Sequence, residues 1–261
     1  FMAHAIALAE KGIGMVSPNP LVGAVLVYNQ RIIGEGYHMK YGEAHAEVNC
    51  INSVSEEDVQ LIPQSTLYVT LEPCAHFGKT PPCSDLIINA GIKDVVIAAL
   101  DPFEEVNGKG IEKLIAAGVE VKTEVLQFDA RFQNRRFFWF HENKAPYIIL
   151  KWAQTDDGFM ASSDEKRLLI TGDLSNELVH QWRSEEDAIM IGARTALLDD
   201  PLLTVRHVPG KSPVRIIISG EEDFPSTLKM FNDGNPVIIF NPYKEEIIGN
   251  QHFKKVNASC G

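Results

Sequence analysis

The chain has 261 residues, 45% of them hydrophobic, with 24 lysines and arginines against 35 aspartates and glutamates, a formal net charge of -11. That length and apolar content exclude a disordered chain and favour two domains over one, while the negative charge repels a phosphate backbone and argues against a nucleic-acid partner. Four cysteines, at 50, 74, 83 and 260, are too few and too irregularly spaced for a secreted disulfide framework, and the absence of a signal-like start or of a run of about 18 apolar residues points to a cytoplasmic protein without a membrane segment.

Ala3, Ile6, Ala7 and Leu8 predict a helix over residues 2–11, stopped by Gly12 and Gly14. Ser17-Pro18-Asn19-Pro20 is a loop. Asn19, held between two prolines, has little backbone freedom, and the residues alone read it either as a rigid turn or as an amide aimed at a pocket wall. Residues 22–28 and 31–37 read as two strands around the turn Asn29-Gln30, with His38 just after the second. A helix is expected over 43–54, with His45 and Glu47 in its first turn. Positions two apart do not share a helix face, so both reach one point only where the chain enters the helix, at the positive end of its dipole.

Residues 67–71 read as a buried strand ended by Glu72-Pro73-Cys74. Cys83 opens a helix over 84–90 that Gly91 closes, and a thiol at that position is expected to have a lowered pKa. A strand over 93–100, a helix over 108–117, a strand over 119–125 and one long helix over 127–143 follow. The aromatic residues of that last helix, Phe128, Phe132, Phe137, Phe138, Trp139 and Phe140, are assigned to the core. Strands alternating with helices predict an α/β sandwich with some parallel pairing.

One imidazole, His45, and two thiols, Cys74 and Cys83, suit a catalytic zinc better than a structural one, because a structural site closes four ligands. Two thiolates balance the metal's charge, so it can still acidify a water. Glu47 is not needed as a ligand and can move the water's proton to a ring nitrogen and on to a departing amine. A structural zinc, or a set of buried thiols, accounts for the cysteines but gives Glu47 no task. The zinc nucleobase deaminases combine His-x-Glu with Pro-Cys-x-x-Cys; here the second cysteine arrives nine residues on.

Taken together, Ser17-Pro18-Asn19-Pro20-Leu21-Val22-Gly23, Gly36-Tyr37-His38, His45-Ala46-Glu47 and the run from Pro73-Cys74 to Pro82-Cys83 resemble the bifunctional riboflavin-biosynthesis deaminase-reductase family, to which the long interval between the cysteines is specific. The resemblance implies a cytidine-deaminase-like three-layer α/β/α domain over 1–144 that hydrolytically removes an amino group from a diaminopyrimidinone ribosyl 5'-phosphate. It implies His45, Cys74 and Cys83 as Zn2+ ligands, Glu47 as proton shuttle, and Asn19, His38, His76, Lys79 and Asp101 as the substrate pocket, Lys79 facing the phosphate. Where that family reads Asp-Pro-Asn, this chain has Asp101-Pro102-Phe103, and a phenyl ring cannot replace an amide's hydrogen bonds.

Lys144-Ala145-Pro146 reads as the junction to a second α/β domain over 145–261. Strands are expected over 147–154, 188–192, 214–219 and 237–240, and a helix over 175–184 with Ser175 or Asp173 as cap. No Gly-x-Gly-x-x-Gly follows a strand, so a Rossmann-type site has no support. Lys151-Trp152-Ala153, Ile170-Thr171-Gly172, Val179 to Arg183, Gly192 to Thr195 and Asp199 to Arg206 resemble the same family, whose second domain is dihydrofolate-reductase-like and uses NADPH to reduce the ribosyl group to ribityl. By position, the resemblance assigns Lys151, Arg167, Arg183, Leu202 and Arg206 to the substrate, the arginines matching a phosphate with forked donors, and Ala153, Leu169, Thr195 and Asp199 to NADPH. Arg167 and Leu169 stand where the family has Ser and Trp, which removes a flat stacking surface and an N–H donor.

The family's closing segment would follow Gly261, so the reductase domain is expected to be incomplete at its C-terminus. Other readings are a deaminase whose second half is a non-catalytic binding or oligomerising domain, a zinc-stabilised interaction module, and a nucleic-acid deaminase. The resemblance is compatible with a homo-oligomer.

Overall fold

In the computed structural model, which describes residues 1–75, 77, 81–104, 106–160, 170–220 and 223–257, the chain divides into two units, Phe1–Ile149 and Leu150–Gly261. The first begins with helix α1 (Met2–Ala9) and a 3-10 turn, Glu10–Gly12. Strands β1 (Gly23–Tyr28) and β2 (Arg31–Tyr37) form the expected hairpin. Its turn residues Asn29 and Gln30 have φ of 44° and 64°, the left-handed pair that matches the twist of the flanking strands. Helix α2 (Ala46–Asn52), strand β3 (Thr66–Leu71), helix α3 (Cys83–Asn89), strand β4 (Asp94–Ala99), helix α4 (Lys109–Ala116), strand β5 (Glu120–Lys122) and helices α5 (Gln127–Gln133) and α6 (Arg135–Asn143) complete it.

The sheet order is β2-β1-β3-β4-β5, with β1 antiparallel to both neighbours and β3, β4 and β5 parallel. Side chains of β1 alternate between the two faces. Ala24 and Leu26 pack with Ala46 and Cys50 of α2, Ile87 of α3 and Leu114 of α4. Val25 and Val27 pack with Ala5 and Leu8 of α1, Ala130 of α5 and Phe138 of α6. Each large apolar side chain buried this way contributes about 1.5–3 kcal/mol, and the result is the three-layer α/β/α architecture. Helix α2 lies so close to β2 that a Cβ on Gly36 would stand 2.4 Å from the Cys50 nitrogen.

Two expectations for this unit are corrected. The helix foreseen from residue 43 starts at Ala46, leaving His45 as an extended N-cap with φ -73° and ψ 166°. The single helix over 127–143 is broken at Asn134, whose side chain is spent on a distant loop: Oδ1 accepts the Leu21 N–H at 2.7 Å and Nδ2 donates to the Leu21 carbonyl at 2.8 Å. The break resets the helical phase, so the aromatic residues no longer share one inward face. Phe138 is buried, but Phe128 is 79% exposed and Phe132 60%; the latter two stack on each other, with the Arg135 guanidinium over Phe132.

The second unit contains helix α7 (Asp173–Glu185), strand β6 (Ala188–Gly192), helix α8 (Ala193–Asp199) and strands β7 (Val214–Ile218), β8 (Val237–Asn241), β9 (Glu246–Ile248) and β10 (Gln251–Lys255). The order is β6-β7-β8-β10-β9, parallel apart from the edge strand β9. Its core gathers Ala196, Leu203, Ile217, Met230, Ile239 and Phe253. Arg215 is buried among them, bidentate on Asp233 at 2.7 and 2.8 Å and bonded to the carbonyls of Leu202 and Asn235. Helix α7 begins at Asp173 with Gly172 as N-cap, earlier than expected. Residues 147–154 are not a strand: they join neither sheet among the described residues, and Ile148, Leu150 and Trp152 are exposed. An apolar run supplies faces for burial, but only a partner's ladder makes it a strand. No helix among the described residues is long and apolar enough to cross a membrane.

Candidate active site

The starts of α2 and α3 and the loop after β3 meet at one point. His45 caps α2, Cys83 is the first residue of α3, and Cys74 lies just past β3. His45 Nδ1 is 3.7 Å from Cys74 Sγ and 3.3 Å from Cys83 Sγ, and the three ligand atoms all lie within 4.8 Å of one another. Tetrahedral ligands of a zinc ion with bonds of about 2.0–2.3 Å stand roughly 3.5–3.8 Å apart, so the three residues fit Zn2+ in both chemistry and spacing. Among the described residues no fourth His, Cys, Asp or Glu joins them, the ligand count of a catalytic site.

The two thiols are inequivalent. Cys74 is held down to about 4 by the hydrogen bond from the Cys83 thiol, against the effect of burial, with help from His45 and from the Cys83 backbone N–H 3.3 Å from its sulfur. Cys83 is pushed up by the same contact with Cys74, by burial and by Glu47. Each thiol thus acts directly on the other, and both stand within reach of His45. His45 is raised, chiefly by its hydrogen bond to Cys74.

Glu47, in the first turn of α2, is 3% exposed. Burial, and then the Cys74 thiolate, raise its pKa, while His45 and Cys83 pull the other way. A carboxyl so placed holds its proton closer to neutral pH than a solvated one, which suits a general acid and base. Because His45 is extended and not helical, it and Glu47 line the same cavity, of about 460 Å³.

Asn19, His38 and Asp101 line that cavity too. Asn19 serves both readings: its N–H closes a turn on the Val16 carbonyl at 2.9 Å, and its Nδ2 donates to His38 Nε2 at 3.1 Å. His38 Nδ1–H donates to the Ala44 carbonyl at 3.0 Å, which assigns the neutral tautomer with its proton on Nδ1, and burial lowers its pKa. His76 and Lys79 lie outside the described residues.

Sequence reasoning took Glu72 for a strand end, yet it organises one side of the site. Its buried carboxylate accepts four backbone N–H groups: Asp101 at 3.3 Å and Gly108 at 2.9 Å on Oε2, Gly110 at 2.9 Å and Ile111 at 3.4 Å on Oε1. It thus pins the segment between β4 and α4, where Asp101 Oδ1 accepts the Phe103 N–H at 2.8 Å. A Cβ on Gly110 would stand 2.0 Å from the Pro73 carbonyl oxygen, so only glycine lets α4 approach the segment that carries Cys74. The available signal was a glutamate beside Pro73-Cys74 together with two glycines at 108 and 110. Phe137, Phe140 and His141, in the helix after the Asn134 break, also line the cavity; on sequence alone the two phenylalanines are assigned to the core, and His141 to no role.

In the second unit, Arg183 of α7 and Arg206 converge on Thr204. Arg183 Nη1 donates to its carbonyl at 2.7 Å and Arg206 Nη1 to its hydroxyl at 3.0 Å. Buried His180, one turn before Arg183, accepts the Arg206 N–H on Nδ1 at 3.1 Å. The Leu202 carbonyl accepts from Arg215 at 3.2 Å. Thr195 and Asp199 stand four residues apart on α8 and share a face. They follow Gly192, where a Cβ would meet nothing within 4 Å. Lys151 and Ala153 stand in the segment that forms no strand, and Arg167 and Leu169 lie outside the described residues.

Residues 1–99 match the cytidine and deoxycytidylate deaminase zinc-binding region, and residues 146–256 the RibD C-terminal domain. The riboflavin biosynthesis protein RibD of Aquifex aeolicus is 46% identical over 248 residues, 94% of this chain and 68% of its own length. That of Actinobacillus pleuropneumoniae is 44% identical over 221 residues, 85% of this chain and 58% of its own length. The crystal structure of a diaminohydroxyphosphoribosylaminopyrimidine deaminase/5-amino-6-(5-phosphoribosylamino)uracil reductase from Thermotoga maritima matches with a TM-score of 0.91 at 40% identity, over 99% of this chain and 74% of that one. The chain therefore spans between 58% and 68% of the length of these two curated relatives.

Proposed function

Since the chain belongs to the RibD family, we propose that it carries out two consecutive reactions of riboflavin biosynthesis. The first unit deaminates a diaminopyrimidinone ribosyl 5'-phosphate hydrolytically, and the second reduces the ribosyl group to ribityl with NADPH. The observation that carries the first reaction is the meeting of three metal ligands, His45, Cys74 and Cys83, with the buried, non-ligating carboxyl of Glu47, where His45, Cys74 and Glu47 line one cavity.

Zinc, when bound by those ligands, supplies a Lewis acid that lowers the pKa of a water. Glu47 takes one proton from the attacking water and passes it to a ring nitrogen, then takes the second from the hydroxyl now on the ring carbon and gives it to the departing amine. The ring carbon exchanges its amino group for the water's oxygen, and ammonia leaves. Burial raises the pKa of Glu47 above that of a solvated carboxyl, the direction that suits a group which must hold a proton as well as accept one. Asn19 and His38 form the polar edge of the pocket: the hydrogen bond from Asn19 Nδ2 to His38 Nε2 joins the two and leaves the Asn19 carbonyl to accept from the substrate. Asp101 contacts the substrate beside them, and His76 and Lys79 complete the pocket, the ammonium acting as a point charge toward the phosphate.

In the second unit the hydride comes from NADPH, and the protein's task is to position both reactants. Arg183 and Arg206 bind the phosphate. Burial and then the neighbouring Arg206 depress the pKa of Arg183, and a dianion between the two guanidinium groups relieves their repulsion. Lys151, Arg167 and Leu202 hold the remainder of the substrate; Ala153, Leu169, Thr195 and Asp199 hold the cofactor. A reducing cytoplasm keeps Cys74 and Cys83 available as thiolates, and the family resemblance supports a homo-oligomer.

Ammonia release from the diaminopyrimidinone nucleotide, followed by NADPH oxidation on addition of the deaminated product, tests both halves. Ammonia without NADPH oxidation would reduce the second unit to a binding or oligomerising domain. Neither signal would remove both assignments.

A further inference from the structure

We propose that His141 is a substrate-positioning residue of the deaminase cavity, offering its imidazole to a hydroxyl of the ribosyl group from an otherwise apolar wall. The proposal rests on the deaminase reading above. The amine that leaves and the sugar hang from different positions of the substrate's ring, so with the amine at Glu47 the sugar must lie against other lining residues. One candidate surface is built from Phe103, Val106, Phe137, Phe140 and His141, and His141 is its one polar side chain.

The imidazole is held by rings and not by hydrogen bonds. Phe137 lies 4.5 Å away at 56°, Phe103 5.3 Å away at 66° and Phe140 5.5 Å away at 87°. Tilted and edge-on contacts of this kind fix the plane of a ring, and among the described residues neither nitrogen of His141 has a hydrogen-bond partner. A polar group with a fixed plane and unused nitrogens in an apolar pocket wall is what orients a ligand. Burial, and then Lys144, lower the pKa of His141. The neutral ring therefore offers one donor and one acceptor, the same pair a hydroxyl presents.

The test compares His141→Phe, which keeps the aromatic packing without the nitrogens, with His141→Gln, which keeps a donor and an acceptor. Steady-state ammonia release from the diaminopyrimidinone nucleotide is measured on zinc-loaded protein. In His141→Phe, KM is expected to rise about 5- to 30-fold with kcat within about threefold of the parent, the loss of one ground-state hydrogen bond. Zinc content and melting temperature should be unchanged, and His141→Gln should stay within about threefold of the parent KM. If His141→Phe does not fold, His141→Gln against His141→Ala reads the same contrast. An unchanged KM in His141→Phe, or equal losses of zinc and kcat in both variants, overturns the proposal. If the parent itself releases no ammonia, it is the deaminase reading that fails, and this proposal falls with it.

Discussion

The Glu72 carboxylate accepts the Gly110 N–H at 2.9 Å, directly beside the segment that carries Cys74. Three further backbone N–H groups reach the same carboxylate, so a carboxamide there turns an amino group toward donors. Glu72→Gln is expected to lose about 2–4 kcal/mol of stability, read as a lower midpoint of urea unfolding. The same variant should bind zinc more weakly, because the loop behind Cys74 loses its anchor.

Gly110→Ala places a Cβ where the Pro73 carbonyl oxygen already stands. Neither partner is a side chain that can swing away, so α4 or the Cys74 segment must shift. A drop of about 2 kcal/mol or more is expected, with reduced deaminase activity. Gly220→Ala, where a Cβ meets nothing within 4 Å, serves as the control and should change stability by less than about 0.5 kcal/mol.

In the second unit Arg215 is 2% exposed and depends on Asp233 for its charge balance. Asp233→Ala leaves a buried guanidinium without its anion and is expected to cost about 3–5 kcal/mol. It should also loosen the Leu202 carbonyl that Arg215 holds, raising the KM of the reductase reaction as well as lowering the melting temperature.

His180 gives the stability a pH dependence of known sign. Burial, and then Arg183 and Arg206, bring its pKa to about 4 from an ordinary 6.5. Between these values the unfolded chain binds more protons than the folded one, so stability is fully present above 6.5 and falls as pH drops toward 4. The contribution lost at the bottom of that window is up to about 3 kcal/mol. Melting temperatures from pH 7 to pH 4.5 should fall more steeply in the parent than in His180→Gln.

How much of this was legible in the sequence depends on where each residue's partner lies. The hairpin at Asn29-Gln30 and the alternation of Ala24, Val25, Leu26 and Val27 are local, and the ligand set His45, Cys74 and Cys83 declares itself by residue chemistry alone. Glu72 finds its partners 29 to 39 positions away, and Asn134 breaks a helix for a loop 113 positions back; no window of local sequence contains either relationship. Residues 147–154 have the apolar pattern of a strand, but pattern does not supply the neighbouring strand.

The central claim is that Glu47 moves protons and does not bind the metal. Zinc content and ammonia release, measured on the same preparations of the parent and Glu47→Gln, test it directly. The expected result is equal zinc in both and a fall in turnover of about 10²–10⁴-fold in the variant. Zinc lost together with activity would make Glu47 a ligand, and turnover persisting near the parent's rate would remove its role altogether.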